Sequence, residues 1–203
     1  ERPVLPQPWA RSAARFAAGM SFVGPGIPIF FQGDESLARN SFKWGTPSTW
    51  DLGWEWYTSD REPEPEELER LSQEAREKAL ANRARRQTYR FYTDAIALRR
   101  RSSALAADAA IERVYTHNGD AVLAFRRSSK DQELLVVGSM NKQNHGGYEL
   151  SLPPGRWKEI FNSDARIYGG EDFGNGGSTF EGNAKLNIPA AGLVVFERVD
   201  SAR

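Results

Sequence analysis

Gly24-Pro25-Gly26-Ile27-Pro28-Ile29-Phe30-Phe31-Gln32-Gly33-Asp34-Glu35 is the stretch on which the reading of this chain turns. Residues 27–31 form an unbroken apolar run with Pro28 inside it, bounded by Gly-Pro-Gly and Gly-Asp-Glu. A run without alternation reads as a short strand buried on both faces, the kind found in parallel sheets. Proline cannot donate to a ladder, so Pro28 belongs at the start of that strand. Asp34 and Glu35 then stand at its carboxyl end, where parallel sheets and barrels place their chemistry. An apolar strand followed by an ordinary polar turn accounts for the same residues equally well.

A lone parallel strand cannot satisfy its own backbone. The chain opens Glu1-Arg2-Pro3-Val4, with no initiator methionine, so either partner strands lie upstream of it or the strand reading fails. Its 203 residues suffice for one large or two small domains. With 27 basic and 27 acidic residues, no electrostatic case exists for nucleic acid or a membrane surface. Cysteine is absent, which excludes disulfides and thiolate metal sites and fits a cytoplasmic protein. No apolar run approaches the roughly 20 residues that span a bilayer, and no signal-peptide pattern stands at the amino terminus.

Upstream of the strand, residues 8–22 carry Trp9, Ala13, Phe16, Ala17 and Met20 at spacings near three and four, with Arg11 and Arg15 between them. That is an amphipathic helix with an alanine-rich packing face. Helix, Gly-Pro-Gly, buried strand is the order of an α/β repeat. Residues 36–60 lose periodicity and gain Phe42, Trp44, Trp50, Trp54, Trp56 and Tyr57, a long loop of rings among carboxylates. Such a composition suits sugars, whose apolar faces stack on rings while their hydroxyls bond to acids. The competing use of each tryptophan is to pin the loop to its scaffold. Residues 61–86 are strongly charged, acidic first and basic later, as in a solvated helix. Residues 88–101 form a further helix, with Tyr89, Tyr92, Ile96 and Leu98 inward and Arg99-Arg100-Arg101 at its negative end.

Past Ser102 the period becomes two. Candidate strands cover 111–117, 121–127, 134–140, 148–152, 157–162, 185–188 and 193–199. Asn118-Gly119-Asp120, His145-Gly146-Gly147 and Pro153-Pro154-Gly155 mark hairpin turns between them, and 163–183 is a long loop. Short strands at this spacing indicate an antiparallel β-sandwich.

In this order the chain resembles the carboxyl-terminal part of the α-amylase superfamily, most closely the 1,4-α-glucan (glycogen) branching enzymes and their relatives. The run from Pro25 to Glu35 looks like the eighth barrel strand of that superfamily. Phe91-Tyr92-Thr93-Asp94-Ala95-Ile96-Ala97-Leu98-Arg99-Arg100 looks like its last barrel helix. Trp157-Lys158-Glu159-Ile160-Phe161-Asn162-Ser163-Asp164-Ala165, followed by Tyr168-Gly169-Gly170, is similar to a segment of the branching-enzyme β-domain.

The resemblance implies α/β followed by all-β architecture: the last strand and helices of a TIM (β/α)8 barrel over 1–103, and an antiparallel β-sandwich over 104–203. It also implies a retaining mechanism on α-1,4-glucans such as glycogen or starch, in which an aspartate attacks the anomeric carbon and a glutamate protonates the leaving oxygen. Those carboxylates belong to strands upstream of the eighth. The two histidines here, His117 and His145, are followed by Asn118 and Gly146, so neither supplies the family's His-Asp pair. No catalytic residue is therefore expected in this chain, and neither a cofactor nor a metal site. Its expected partners are the α-1,4-glucan and the upstream part of the same enzyme, with no nucleic acid and no membrane. Asp34 and Glu35 match the mouth of strand eight, and Trp44, Trp54 and Trp56 are candidates for contact with glucan. Asp51-Leu52-Gly53-Trp54 departs from the family's Leu-Asp-Trp order, which leaves donor and acceptor preference open. A hydrolase of the same superfamily (an amylase, a debranching or a trehalose-releasing enzyme) and a non-catalytic glucan-binding module, with Trp157, Tyr148 and Tyr168 as its rings, are the alternatives.

Overall fold

The computed structural model describes residues 7–38, 55–58 and 63–200. Eight strands occur among them: β1 (Ala110–His117), β2 (Val122–Ser128), β3 (Glu133–Ser139), β4 (His145–Ser151), β5 (Trp157–Asn162), β6 (Thr179–Phe180), β7 (Asn183–Ile188) and β8 (Gly192–Arg198). Six join in the order β1-β2-β3-β8-β5-β6, all antiparallel, while β4 and β7 pair as a second sheet. The period-two segments are thus strands, and β6 lies inside the stretch expected to be loop.

The central pair, β3 and β8, is apolar on both faces. Val136 stands opposite Val195, and both face a core shared with helices. Leu135 opposite Phe196 and Val137 opposite Val194 face a second core, closed by Leu150, Leu186 and Ile188 of the small sheet. Alternation along the strand sends successive side chains to opposite faces. The large sheet is therefore covered by the small sheet on one side and by helices on the other. At burial of about 1.5–3 kcal/mol per large side chain, these two layers are the principal stabilisation of the fold.

The helices are α1 (Pro8–Val23), α2 (Glu55–Thr58), α3 (Pro65–Arg70) and α4 (Gln73–Arg101). The two charged helices expected over 61–86 and 88–101 divide elsewhere. A break at Leu71 and Ser72 separates a single turn and a half from one continuous helix of 29 residues. Ser72 makes that break, because its side chain accepts the Ala75 amide at 3.3 Å. Ser72→Ala is expected to destabilise the protein by about 1 kcal/mol, read as a shift in urea midpoint without change in slope.

The face α1 buries overlaps in part the one its apolar spacing predicts, with Phe16 and Met20 packed partly buried against the helical core. Arg15, Gly19, Phe22 and Val23 are buried, whereas Trp9 is 43% exposed and Ala14 and Ala17 look outward. Gly19 favours a close approach to β8, since a Cβ there would lie 2.8 Å from Leu193 Cδ2 and would require that side chain or the helix to shift.

Residues 27–31 also differ from expectation. They are in no β-ladder among the described residues, and Ile27, Ile29 and Phe31 are 81%, 84% and 68% exposed. An apolar run states that burial is favourable but not what supplies it, and no neighbouring strand is present among the described residues to do so. The runs buried on both faces are those of β3 and β8, and these are antiparallel. His145-Gly146-Gly147 is not a hairpin turn either. It opens β4, with Gly147 at φ 64° in a bulge against β7.

Candidate functional site

Asp34 and Glu35 begin a short 3-10 turn, and both carboxylates act on their own backbone. Asp34 Oδ2 accepts the Phe31 amide at 3.0 Å, and Glu35 Oε2 accepts the Gly33 amide at 2.8 Å. Gly33, at φ 103°, makes the reversal possible without strain. Asp34 is exposed and Glu35 half-buried. Beside them lies an open cavity of about 470 Å³, walled by Ala17, Phe22, Phe30, Asp34, Leu37 and Tyr92. Phe22, Phe30 and Tyr92 pack as a trio with centroids 5.1–5.9 Å apart. Burial, then the charges of Asp34 and Glu35, push the Tyr92 phenol up to about 12, so it stays protonated at neutral pH. The cavity offers apolar walls and one carboxylate at its rim, which can hold a ligand but cannot by itself perform paired acid-base chemistry.

Among the predicted tryptophans, Trp44 and Trp54 lie outside the described residues. Trp56 is 2% exposed, stacked edge-on with Tyr57 and Tyr89, and its carbonyl accepts Arg86 Nη1 at 3.2 Å. It pins α2 to α4 and presents no ring face for a sugar, a correction to its candidacy. In the sandwich, Trp157 is fully buried, with Nε1 donating to the Pro153 carbonyl at 2.8 Å, and Tyr168 is 5% exposed. Tyr148 is half-buried and its hydroxyl donates to Asp120 Oδ2 at 2.9 Å.

The residues that sequence reasoning missed form a clasp between sheet and helices. Arg15, 3% exposed, donates from Nε to the Ser163 carbonyl at 3.0 Å and from Nη1 to the Tyr168 carbonyl at 3.2 Å. Its Nη2 lies 3.5 Å from Asp164 Oδ1. Asp164 Oδ2 in turn accepts the amides of Glu171 and Phe173, each at 3.2 Å. Burial raises the Asp164 carboxyl above its ordinary value, although those amides and Arg15 pull it back. Burial likewise lowers the Arg15 guanidinium to about 10, which leaves it charged at neutral pH. The Asn-Ser-Asp and Tyr-Gly-Gly segments are thus the parts of the sandwich that dock on α1 and α4. The available signal was an arginine four positions before Gly19 on the same helix face.

Tyr168 completes this clasp, its hydroxyl donating to Asp94 Oδ2 at 3.0 Å. Burial first and Asp94 second raise its phenol, which stays protonated. Tyr168→Phe is expected to cost about 1.5 kcal/mol in thermal unfolding and to leave affinity for soluble glucan unchanged.

Residues 114–199 match the family model described as "Alpha amylase, C-terminal all-beta domain". The 1,4-α-glucan branching enzyme GlgB 1 of Xanthomonas euvesicatoria pv. vesicatoria (strain 85-10) is 31% identical over 93% of this chain and 24% of its own length. GlgB of Paraburkholderia xenovorans (strain LB400) is 44% identical over 62 residues, 30% of this chain and 8% of its own. The chain therefore spans about a quarter of the length of the first of these relatives. Among solved structures, the α-amylase from H. orenii aligns with TM-score 0.56 at 19% identity, covering 93% of this chain and 36% of that one. The trehalulose synthase from Pseudomonas mesoacidophila MX-45 aligns with TM-score 0.54 at 18% identity, covering 92% and 38%.

Proposed function

We propose that the chain is a carboxyl-terminal part of an α-amylase-family enzyme, residues 114–199 matching that family's C-terminal all-beta domain, and that it closes the catalytic barrel of a cytoplasmic 1,4-α-glucan branching enzyme and carries its β-sandwich. The observation that carries this reading is the likeness to branching enzymes over 93% of the chain, helices as well as strands. The exposed row Ile27, Ile29, Phe31 and the outward alanines of α1 support it, since an eighth barrel strand and its helix would cover such surfaces with upstream neighbours. The catalytic carboxylates reside upstream, and this chain contributes shape. Asp34 and Glu35 brace the turn at the mouth of the eighth strand, and Trp44 and Trp54, which follow it in sequence, are its proposed contacts with glucan.

Chain transfer differs from hydrolysis only in what resolves the glycosyl-enzyme, a 6-hydroxyl or water. The protein expressed from its full gene, assayed on amylose, is expected to abolish iodine colour while releasing no new reducing ends. Loss of colour with stoichiometric new reducing ends would show a hydrolase and overturn the branching reading.

A further inference from the structure

α1 has no basic residue in its last turn, so the carbonyls at its negative end depend on cations from elsewhere. Two arginines from different parts of the fold supply them. Arg99 of α4 donates from Nη1 to the Phe22 carbonyl at 2.6 Å and the Gly24 carbonyl at 3.1 Å, and from Nη2 to the Gly26 carbonyl. Arg127 of β2, fully buried, donates from Nη1 to the Val23 carbonyl at 3.1 Å. Its Nη2 reaches the Ala106 and Ala109 carbonyls at 2.7 and 3.3 Å. The Gly26 amide closes the arrangement by donating to the Ala107 carbonyl at 3.2 Å.

These bonds fix a segment that has little else to fix it. Gly24 and Gly26 flank Pro25, Gly26 stands at φ 81°, and the exposed residues 27–31 follow in no ladder among the described residues. We infer that Arg99 and Arg127 are positioning residues: through the carbonyls of Phe22, Val23, Gly24 and Gly26 they set where the chain leaves α1, and hence where Asp34 and Glu35 sit. The β-sandwich thereby acts on the candidate site through Arg127 as well as covering the helices. Only the consequence for glucan rests on the function proposed above; the clamp itself does not.

The test uses the protein expressed from its full gene, with Arg99→Gln, Arg127→Lys and, as a destabilised control in the opposite core, Leu186→Ala. Arg99→Gln changes a half-exposed helix position and so keeps the experiment independent of folding, while a lysine at 127 retains charge but can meet fewer of the three carbonyls. Amide exchange at Gly26, Phe31, Asp34 and Ser36 is expected to quicken about tenfold in both arginine variants and to hold steady in β7. In the same samples KM for amylose rises severalfold with kcat changed less, and Leu186→Ala leaves KM unchanged. Exchange that stays as in the wild type at those four amides, or that rises uniformly as in Leu186→Ala, would overturn the clamp. A wild-type protein inert on glucan would instead overturn the function, with the exchange data still deciding the clamp.

Discussion

Arg15→Met is expected to destabilise the protein by about 3–5 kcal/mol, because removing one partner of a buried ion pair leaves the other uncompensated. Asp164, with a side chain 10% exposed, would keep its two amide donors but lose its cation. The Ser163 and Tyr168 carbonyls would lose their donors in the same step. For a chain of this size the melting temperature falls by roughly 10 °C. The loss also depends on pH in a definite sense. Burial already raises the folded-state pKa of Asp164 above its ordinary 3.8, and Arg15 opposes that rise. Without Arg15 the folded carboxyl binds its proton more tightly still, so between 3.8 and the raised value the folded state holds more protons than the unfolded one. Stability then falls as pH rises through that window. The difference between Arg15→Met and wild type is expected to be larger at pH 7 than at pH 4.5, read from urea midpoints. An equal difference at both would place the loss in the carbonyls alone. Asp164→Asn on the Arg15→Met background is expected to recover part of the stability, since a neutral amide needs no cation.

The sandwich was legible in the sequence because alternation is local. Residues 111–117, 157–162 and 193–199 each became a strand within one residue of its expected ends, although 193–196 is an unbroken apolar run buried on both faces rather than an alternating one. What alternation could not disclose was pairing. β4 and β7 lie 31 residues apart from the end of one to the start of the other, yet make their own sheet, and nothing local to His145-Gly146-Gly147 distinguishes a bulge from a turn. Arg15 was legible only in its spacing from Gly19, for a related reason. On a helix wheel it belongs to the polar face, and its burial makes sense only once the Ser163 and Tyr168 carbonyls, about 150 residues away, are placed against it. Trp56 shows the same limit from the other side, since a ring that could stack on a sugar and a ring that pins a helix have the same composition around them. Asp34 and Glu35 were expected at the end of a buried strand and instead open a 3-10 turn, and the work of their carboxylates in closing it follows from backbone geometry that sequence does not carry.

Phe91→Ala is expected to cost about 3–5 kcal/mol and, more informatively, to lower the stability of the helices and the sandwich together. Phe91 is fully buried, edge-on to Tyr92 and Tyr168 with centroids 5.8 and 5.5 Å away, and tilted against Phe161 at 5.9 Å. It thus joins α4 to β5 and to the Tyr168 turn, and its Cζ would lie 3.4 Å from a Cβ at Gly19 of α1. Were 1–103 and 104–203 independent domains, truncating it would melt the helical part and leave the sheets intact. The packing argues otherwise. Leu134, Val136, Leu193 and Val195 project from the two central strands into the helical core and would be exposed if the helices left. Because helices and strands share this core, the change of sequence pattern near residue 103 is expected to mark a boundary of secondary structure rather than of folding. Fluorescence of Trp157, in the sandwich, read in a background whose five other tryptophans are replaced by phenylalanine, and far-ultraviolet dichroism, dominated by α4, are expected to move to a lower midpoint in step in Phe91→Ala. Separation of the two curves, with the Trp157 signal holding its wild-type midpoint, would show that the sandwich folds on its own, and the helices would then be a cover rather than half of its core.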